Sequence, residues 1–431
     1  MAGRLVAVPE RPAAELILMQ RALLLCRAAL LPIREGIGAE DLSWLLAVTG
    51  AEWLWRTGGS DGGHLMATGH DAARPSLGVA WPSPLALVVE TSGSSGTPRA
   101  VMLAARNLLD SADLVNRRLG LVPGDVWLCC LPLRHIGGLA IPYRCGLAGA
   151  TLVVHEAFQA DRVAEDLARR RVSHLSLVPP MLAKLLDLDR APPPSLRVVL
   201  VGGQSLSAPL ARRGLERGWP LYLSYGMTET ASQVACSDRL AAPIQPGAVG
   251  KPLSGLQIDC PRCPEQPQVL RVRGPQVMAG YANPHRIPGD GLEDGWLRTS
   301  DLACLDPDGQ LRVLGRADEV LVAGGVKVHP ARVESVLASA PRVGEVAVLG
   351  VPDSIWGQRL VAAYTGDSEA RELDAWCRAH LAGAERPRAF IRLPELPTLG
   401  SGKRDRGRLR ELGAAFGEGM IGPRMNANER K

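Results

Sequence analysis

LRVVLVGGQSLSAPLARRGLERGWPLYLSYGMTET, residues 196–230, holds two apolar runs, Arg197 to Val201 and Leu221 to Ser224, on either side of a helical pattern from Ala208 to Glu216. Strand-length runs joined through a helix read as parallel neighbours, because a parallel pair needs a crossover and a tight turn cannot supply one. The pattern repeats toward the N-terminus. Strands are expected at Leu85 to Val89, Val126 to Leu131, Thr151 to Val154 and His174 to Val178, with helices at Arg106 to Leu119, Arg162 to Arg171 and Met181 to Leu188. This alternation predicts an α/β fold of parallel-rich sheets flanked by helices, with ligands at the carboxyl ends of the strands.

Beyond about Gly255 the texture changes to strand and turn. LACLDPDGQLRVLGR, residues 302–316, centres on Asp306, Pro307, Asp308 and Gly309 and reads as a hairpin in a small β subdomain. Past Asp318, strands near Val346 to Gly350 and Leu360 to Thr365 mix with helices near Ala331 to Ala338 and Leu373 to Leu381, which predicts a small α+β domain. A chain of 431 residues exceeds what one core usually organises.

Composition narrows the classes of partner. A net charge of only +5, with basic residues dispersed among acidic ones, gives no nucleic-acid footprint. The longest apolar stretch, Leu16 to Ile33, contains Gln20, Arg21 and Arg27 and ends at Arg34, so an amphipathic helix is expected there and not membrane insertion. MAGRLVAVPERP lacks the apolar centre of a secretory signal, which makes the cytoplasm the default location. Nine scattered cysteines argue for reduced thiols, and the lone CxxC of Cys260 and Cys263 has no second pair at metal-site spacing.

The stretch TSGSSGTPRA, residues 91–100, follows the strand at Leu85. A Ser/Gly loop at a strand end offers backbone N–H groups and hydroxyls without bulk, as polyphosphate oxygens require, and a plain surface turn is the alternative. It fits neither a Walker A loop nor a nucleophile elbow. LPLRHIGG (131–138), LVGGQ (200–204), YGMTETAS (225–232), GAVGKP (247–252), GWLRTSDLA (295–303), LGRADEVLVAGGVKVHPARVE (314–334) and LPTLGSGKRDRGRL (396–409) follow in order. Together these motifs resemble the signatures of the adenylate-forming superfamily, which includes acyl- and aryl-CoA synthetases, luciferases and peptide-synthetase adenylation domains.

The resemblance implies a large AMP-binding domain over residues 1–316, with its β-rich subdomain at about 245–316. A small mobile domain follows over residues 317–414, hinged at Asp318, and residues 415–431 form a flexible tail. It implies ATP, Mg2+ and coenzyme A as cofactors and a homodimer as the assembly. Thr91, Ser92, Gly93, Ser94, Ser95, Gly96 and Thr97 would wrap the β- and γ-phosphates, with Arg99 where the family usually has lysine. Glu229 matches the magnesium ligand and Thr228 the α-phosphate contact. Gly202, Gly203, Tyr225 and Gly226 match the adenine site. Asp301, in a TSD where TGD is usual, and Arg316 match the ribose contacts, a purely structural ion pair between them being the alternative.

Lys403 matches the lysine that meets the α-phosphate and carboxylate during adenylation. Gly324 and Gly325 match the loop lining the pantetheine tunnel, and His135 matches the gate between tunnel and acid pocket. The short leader, LPLRHIGGLAI and YGMTETASQ most resemble the o-succinylbenzoate–CoA ligase branch, which serves menaquinone biosynthesis. Lys184 is the expected partner of that acid's second carboxylate, with Arg134 and Arg144 as rivals. Another aryl- or acyl-CoA ligase, or a nucleotide-binding relative without catalysis, are the other readings.

Overall fold

The computed structural model describes residues 2–56, 63–69, 83–91, 99–245, 247–262, 267–282, 287–353, 357–398 and 404–419. Among these, the strand–helix alternation builds two large sheets. The larger contains the parallel set Thr151–Val154, Val126–Cys129, His174–Leu177, Val198–Val201 and Leu221–Met227, in that spatial order. His174–Leu177 and Val198–Val201 are buried along their whole length, as strands covered on both faces must be. From Leu221–Met227 the sheet continues through antiparallel Ser232–Cys236, Ala248–Pro252, Leu311–Arg316 and Trp296–Leu305. The expected hairpin joins the last two. Asp306 Oδ1 accepts the amides of Asp308 and Gln310 at 3.0 and 2.9 Å, which closes the turn.

Alternation of side chains assigns the layers. Trp127, Cys129, Val198 and Leu200 point into one core, while Leu128, Val199 and Val201 point into another. The second sheet, with Leu5–Pro9, Ala29–Ile33, Leu85–Thr91 and Arg99–Ala104 at its centre, sends Val6, Val8, Leu87, Val89, Val101 and Leu103 into that same first core. The helices Ala105–Leu119 and Ile136–Ala148 therefore lie in a layer shared by both sheets. Each fully buried aliphatic there contributes roughly 1.5–3 kcal/mol before entropy is counted. Residues from Ala323 onward pack into separate cores around the sheet Val343–Asp353, Gly357–Gly366 and Ala389–Arg392.

Three details depart from the sequence reading. Leu16 to Ile33 is not one helix: Ala13–Leu25 ends there, Arg27 takes φ +54°, and Ala29–Ile33 is a fully buried strand. The helix Ile136–Ala148 was not expected at all. It is buried on nearly every side, so it shows no amphipathic period, and it contains Pro142. At the C-terminus the helix Arg406–Gly419 continues beyond Ala414. No helix of the described residues is long and apolar enough to cross a membrane.

Candidate active site

The strand Leu221–Met227 delivers Tyr225 and Gly226 and then turns through Thr228–Thr230. The return strand Ser232–Cys236 comes back so closely that a Cβ on Gly226 would sit 1.8 Å from the Ser232 carbonyl oxygen. Glycine is thus required by contact with backbone, which cannot move aside. Gly202 and Gly203 follow the end of the neighbouring strand Val198–Val201, and a Cβ on Gly202 would meet Ser224 at 3.2–3.3 Å.

Asp301 comes from the antiparallel extension, opposite Arg316 in the ladder. Its Oδ2 accepts the Tyr225 hydroxyl at 2.5 Å, so the tyrosine expected at the adenine also fixes the carboxylate expected at the ribose. Burial and that carboxylate hold the Tyr225 phenol well above its ordinary pKa, and the hydroxyl remains a donor. Arg316 lies 3.9 Å from Asp301 but makes its close, two-pronged contact with Asp318 at 2.8 and 2.7 Å. The side-chain contact with Asp318 is the first cause that raises its pKa, and the charge of Asp301 adds to it.

Glu229 is half-buried, and its Oε1 accepts the Tyr281 hydroxyl at 3.2 Å. Its backbone oxygen receives the Met278 amide at 2.7 Å. The Arg99 guanidinium lies 5.1 Å from the centre of the Tyr281 ring, within cation–π range. Gly280–Tyr281 pairs with Arg99–Ala104, which leads out of the Ser/Gly loop. Tyr281 therefore links the exit of that loop to Glu229, a role the sequence reading missed. The signal was the short segment GYA, which forms only a two-residue strand and lay outside the quoted motifs. Burial and the Glu229 carboxylate, against the opposing pull of the Arg99 cation, leave the Tyr281 phenol pushed up to about 12.

No cluster of three or more histidine, cysteine or carboxylate side chains among the described residues could hold a metal alone. A single carboxylate held by a tyrosine suits a magnesium ion whose other ligands are phosphate oxygens and water. His135 takes the position before the helix Ile136–Ala148, its carbonyl receiving the Gly138 and Leu139 amides at 3.0 Å. Gly324 and Gly325 have φ +58° and +79° between paired Ala323 and Val326. They are the centre of a two-residue hairpin turn that requires positive φ at both positions.

The other expected residues fare differently. Lys184 is exposed on Pro179–Asp187, a helix anchored by buried Leu182, Leu185 and Leu186, and among the described residues no hydrogen bond or ion pair joins it to the groups above. Arg134 is paired with Glu10 at 2.6 Å. Arg144 is fully buried. Thr91 closes its strand with a bond from its hydroxyl to the Arg99 carbonyl at 3.1 Å. Ser92, Gly93, Ser94, Ser95, Gly96, Thr97, Lys403 and Cys263 lie outside the described residues. The eight described cysteines are free thiols.

Residues 2–282 match the AMP-binding enzyme family and residues 332–403 the AMP-binding enzyme C-terminal domain. Over 334 residues the chain is 36% identical to the 2-succinylbenzoate–CoA ligase of Bacillus subtilis strain 168, covering 76% of this chain and 68% of that protein. For the 2-succinylbenzoate–CoA ligase of Bacillus pumilus the identity is 35% over 335 residues, with 76% and 69% covered. The fold superposes on the Bacillus subtilis o-succinylbenzoate CoA synthetase in complex with its acyl-adenylate intermediate, with a TM-score of 0.81 at 29% identity over 95% of this chain and 88% of that one. Its complex with ATP and magnesium gives 0.81 at 30%, over 95% and 89%.

Proposed function

The chain belongs to the AMP-binding enzyme family, and on that footing we propose that it is an ATP-dependent acid–thiol ligase that converts o-succinylbenzoate, ATP and coenzyme A to o-succinylbenzoyl-CoA, AMP and diphosphate. The observation that carries this reading is the placement of two carboxylates beside one strand end. Asp301 is held by the Tyr225 hydroxyl, and Glu229, just past the strand, by the Tyr281 hydroxyl. The similarity to 2-succinylbenzoate–CoA ligases across 76% of the chain supports the choice of acid.

In the first half-reaction a carboxylate oxygen attacks the α-phosphorus, and the bond from phosphorus to the bridging oxygen breaks as diphosphate leaves. Charge grows on the phosphate oxygens, so preorganised donors and cations lower the barrier. Thr228 would contact the α-phosphate, residues 91–97 the β- and γ-phosphates, and Asp301 with Arg316 the ribose. Glu229 would hold Mg2+, which supplies charge neutralisation at the phosphates. Lys403 would approach the α-phosphate and carboxylate from the small domain. In the second half-reaction the CoA thiolate attacks the acyl carbon and AMP leaves. Gly324 and Gly325 would line its route and His135 would gate the pocket.

The test is release of diphosphate and AMP with ATP, Mg2+ and a panel of acids, with and without CoA. CoA-dependent turnover on o-succinylbenzoate, weak on benzoate and fatty acids, is expected. Turnover confined to a monocarboxylic acid would remove the substrate assignment, and no adenylation of any acid would remove the ligase. A cytoplasmic homodimer in menaquinone biosynthesis belongs to the same proposal; sedimentation of the purified chain as a monomer would exclude the dimer.

A further inference from the structure

The loop 131–135, between the strand Val126–Cys129 and the helix Ile136–Ala148, ends in His135. One side of it is fixed by packing. Leu133 is buried in the core shared by the two sheets, and the chain turns so tightly over the helix that a Cβ on Gly138 would sit 2.6 Å from the Pro132 carbonyl oxygen. The other side faces a void: residues 131–134 line a cavity of about 110 Å3, whose remaining lining includes Glu10, Ala13, His155 and Glu156. Apolar packing cannot hold a chain segment against empty space.

A charge pair does so instead. Arg134 Nη1 donates to Glu10 Oε1 at 2.6 Å, across 124 residues of sequence. Glu10 directly follows Leu5–Pro9 in one sheet and the loop follows Val126–Cys129 in the other, so the pair ties the carboxyl ends of the two sheets together. The Arg134 charge also acts on Glu90, near the end of Leu85–Thr91 in the same sheet as Leu5–Pro9. Glu10 is only 7% exposed, and a carboxylate so buried keeps its charge only when paired. Loss of one partner from such a pair is penalised by the buried charge left behind. The Ala13 side of the cavity is held separately, since both carboxylate oxygens of Glu156 accept the Ala13 amide at 3.0 and 3.1 Å.

We propose that Arg134 is a positioning residue: bound to Glu10, it fixes the loop that carries His135 and so keeps water from the acyl-adenylate until the CoA thiol arrives. The inference rests on the reading of His135 as the gate given above. With the loop released, the water oxygen bonds to the acyl carbon, the bond from that carbon to the phosphate oxygen breaks, and the acid, AMP and a proton leave. The enzyme then consumes ATP without making thioester, which a closed site prevents.

The experiment uses the full chain with ATP, Mg2+ and o-succinylbenzoate, or whichever acid of the panel above it adenylates, and measures steady-state AMP release without and with CoA, alongside Tm. Arg134→Met is expected to raise CoA-independent AMP release about five- to tenfold relative to the CoA-dependent rate. Glu10→Gln, which keeps an acceptor for the guanidinium, should shift it in the same direction by less. The double variant should leak no more than Arg134→Met alone, because two residues that act as one pair are not additive. Arg197→Met gauges destabilisation by itself: it breaks another 2.6 Å pair to a buried carboxylate, Asp125, which lies before the strand Val126–Cys129 and so at its opposite end. Its Tm should fall while AMP release without CoA stays level. Unchanged release in Arg134→Met, or a rise that Arg197→Met reproduces at an equal loss of Tm, overturns the proposal. So does a rise in Arg134→Met that Glu10→Gln lacks and that adds in the double variant, because Arg134 would then act on the substrate directly. Should Arg134→Met not fold, Glu10→Gln decides against Arg197→Met. His135→Ala separates the two readings. If it leaks, and the Arg134 and Glu10 variants do not, the gate stands and the tether falls; if it does not leak, the gate reading fails and the tether with it.

Discussion

If Glu229 holds Mg2+ as proposed, the Tyr281 hydroxyl would steady the ligand. It donates to Glu229 Oε1 at 3.2 Å while its ring faces Arg99, so the two contacts can be separated by substitution. Tyr281→Phe keeps the ring and deletes the donor. A single hydrogen bond to a charged group corresponds to about 1.5–3 kcal/mol, roughly ten- to 150-fold, and a half-buried contact at 3.2 Å belongs at or below the lower end of that range. The apparent KM for Mg2+·ATP should therefore rise several-fold while the KM for the acid stays put, as read from diphosphate release over a magnesium titration. Equal changes in both constants would count against a role through Glu229.

The hairpin formed by Leu221–Met227 and Ser232–Cys236 is the element on which the site depends. Its register shifts between Tyr225 and Gly226, and the strands touch there closely enough to exclude a side chain. Gly226→Ala should pry the strands apart, abolish adenylation and lower Tm by about 5 °C or more. Gly383→Ala, where a Cβ meets nothing within 4 Å, is the matched control and should leave both unchanged. Differential scanning fluorimetry with the diphosphate assay decides the pair. The strands and helices of the parallel set were legible because each is a short apolar run or an amphipathic helix. Ile136–Ala148 was not, because a helix packed between two sheets needs apolar residues on all sides and so carries no period.

Two predictions concern the molecule as a whole. Lys403→Ala should cripple formation of the acyl-adenylate far more than thioester formation from preformed acyl-AMP, because the small domain would present this lysine in only one of two arrangements. Equal losses in both half-reactions, measured separately, would remove that assignment. Stability should also decline at high pH. Burial raises the thiols of Cys129 and Cys145 to about 12 and those of Cys236 and Cys377 to about 11, and it raises the phenols of Tyr143, Tyr225 and Tyr281. Each such group is neutral in the fold at a pH where it ionises in the unfolded chain. Its contribution is complete below its unfolded value and is lost as pH rises toward the folded one. The decline should begin above about pH 9 with the thiols and steepen above about pH 10 with the phenols. Arg144, lowered to about 10, acts in the opposite sense but is a single group. Urea midpoints that stay level from pH 9 to 11 would contradict the sum.

The α/β class, the hairpin at residues 302–316 and the motifs that carry Glu229, Asp301 and Lys403 were all written in local sequence, because strand and helix periods, turn residues and motif spacing are properties of neighbours along the chain. Tertiary structure alone decided which groups meet. Asp301 and Tyr225 stand 76 residues apart and Glu229 and Tyr281 52 apart, yet each pair is joined by one hydrogen bond. Arg144 and Ser232, 88 residues apart, meet only because two sheets enclose one helical layer. No local pattern encodes such pairs, since the sheet order that creates them is fixed by burial of the whole chain.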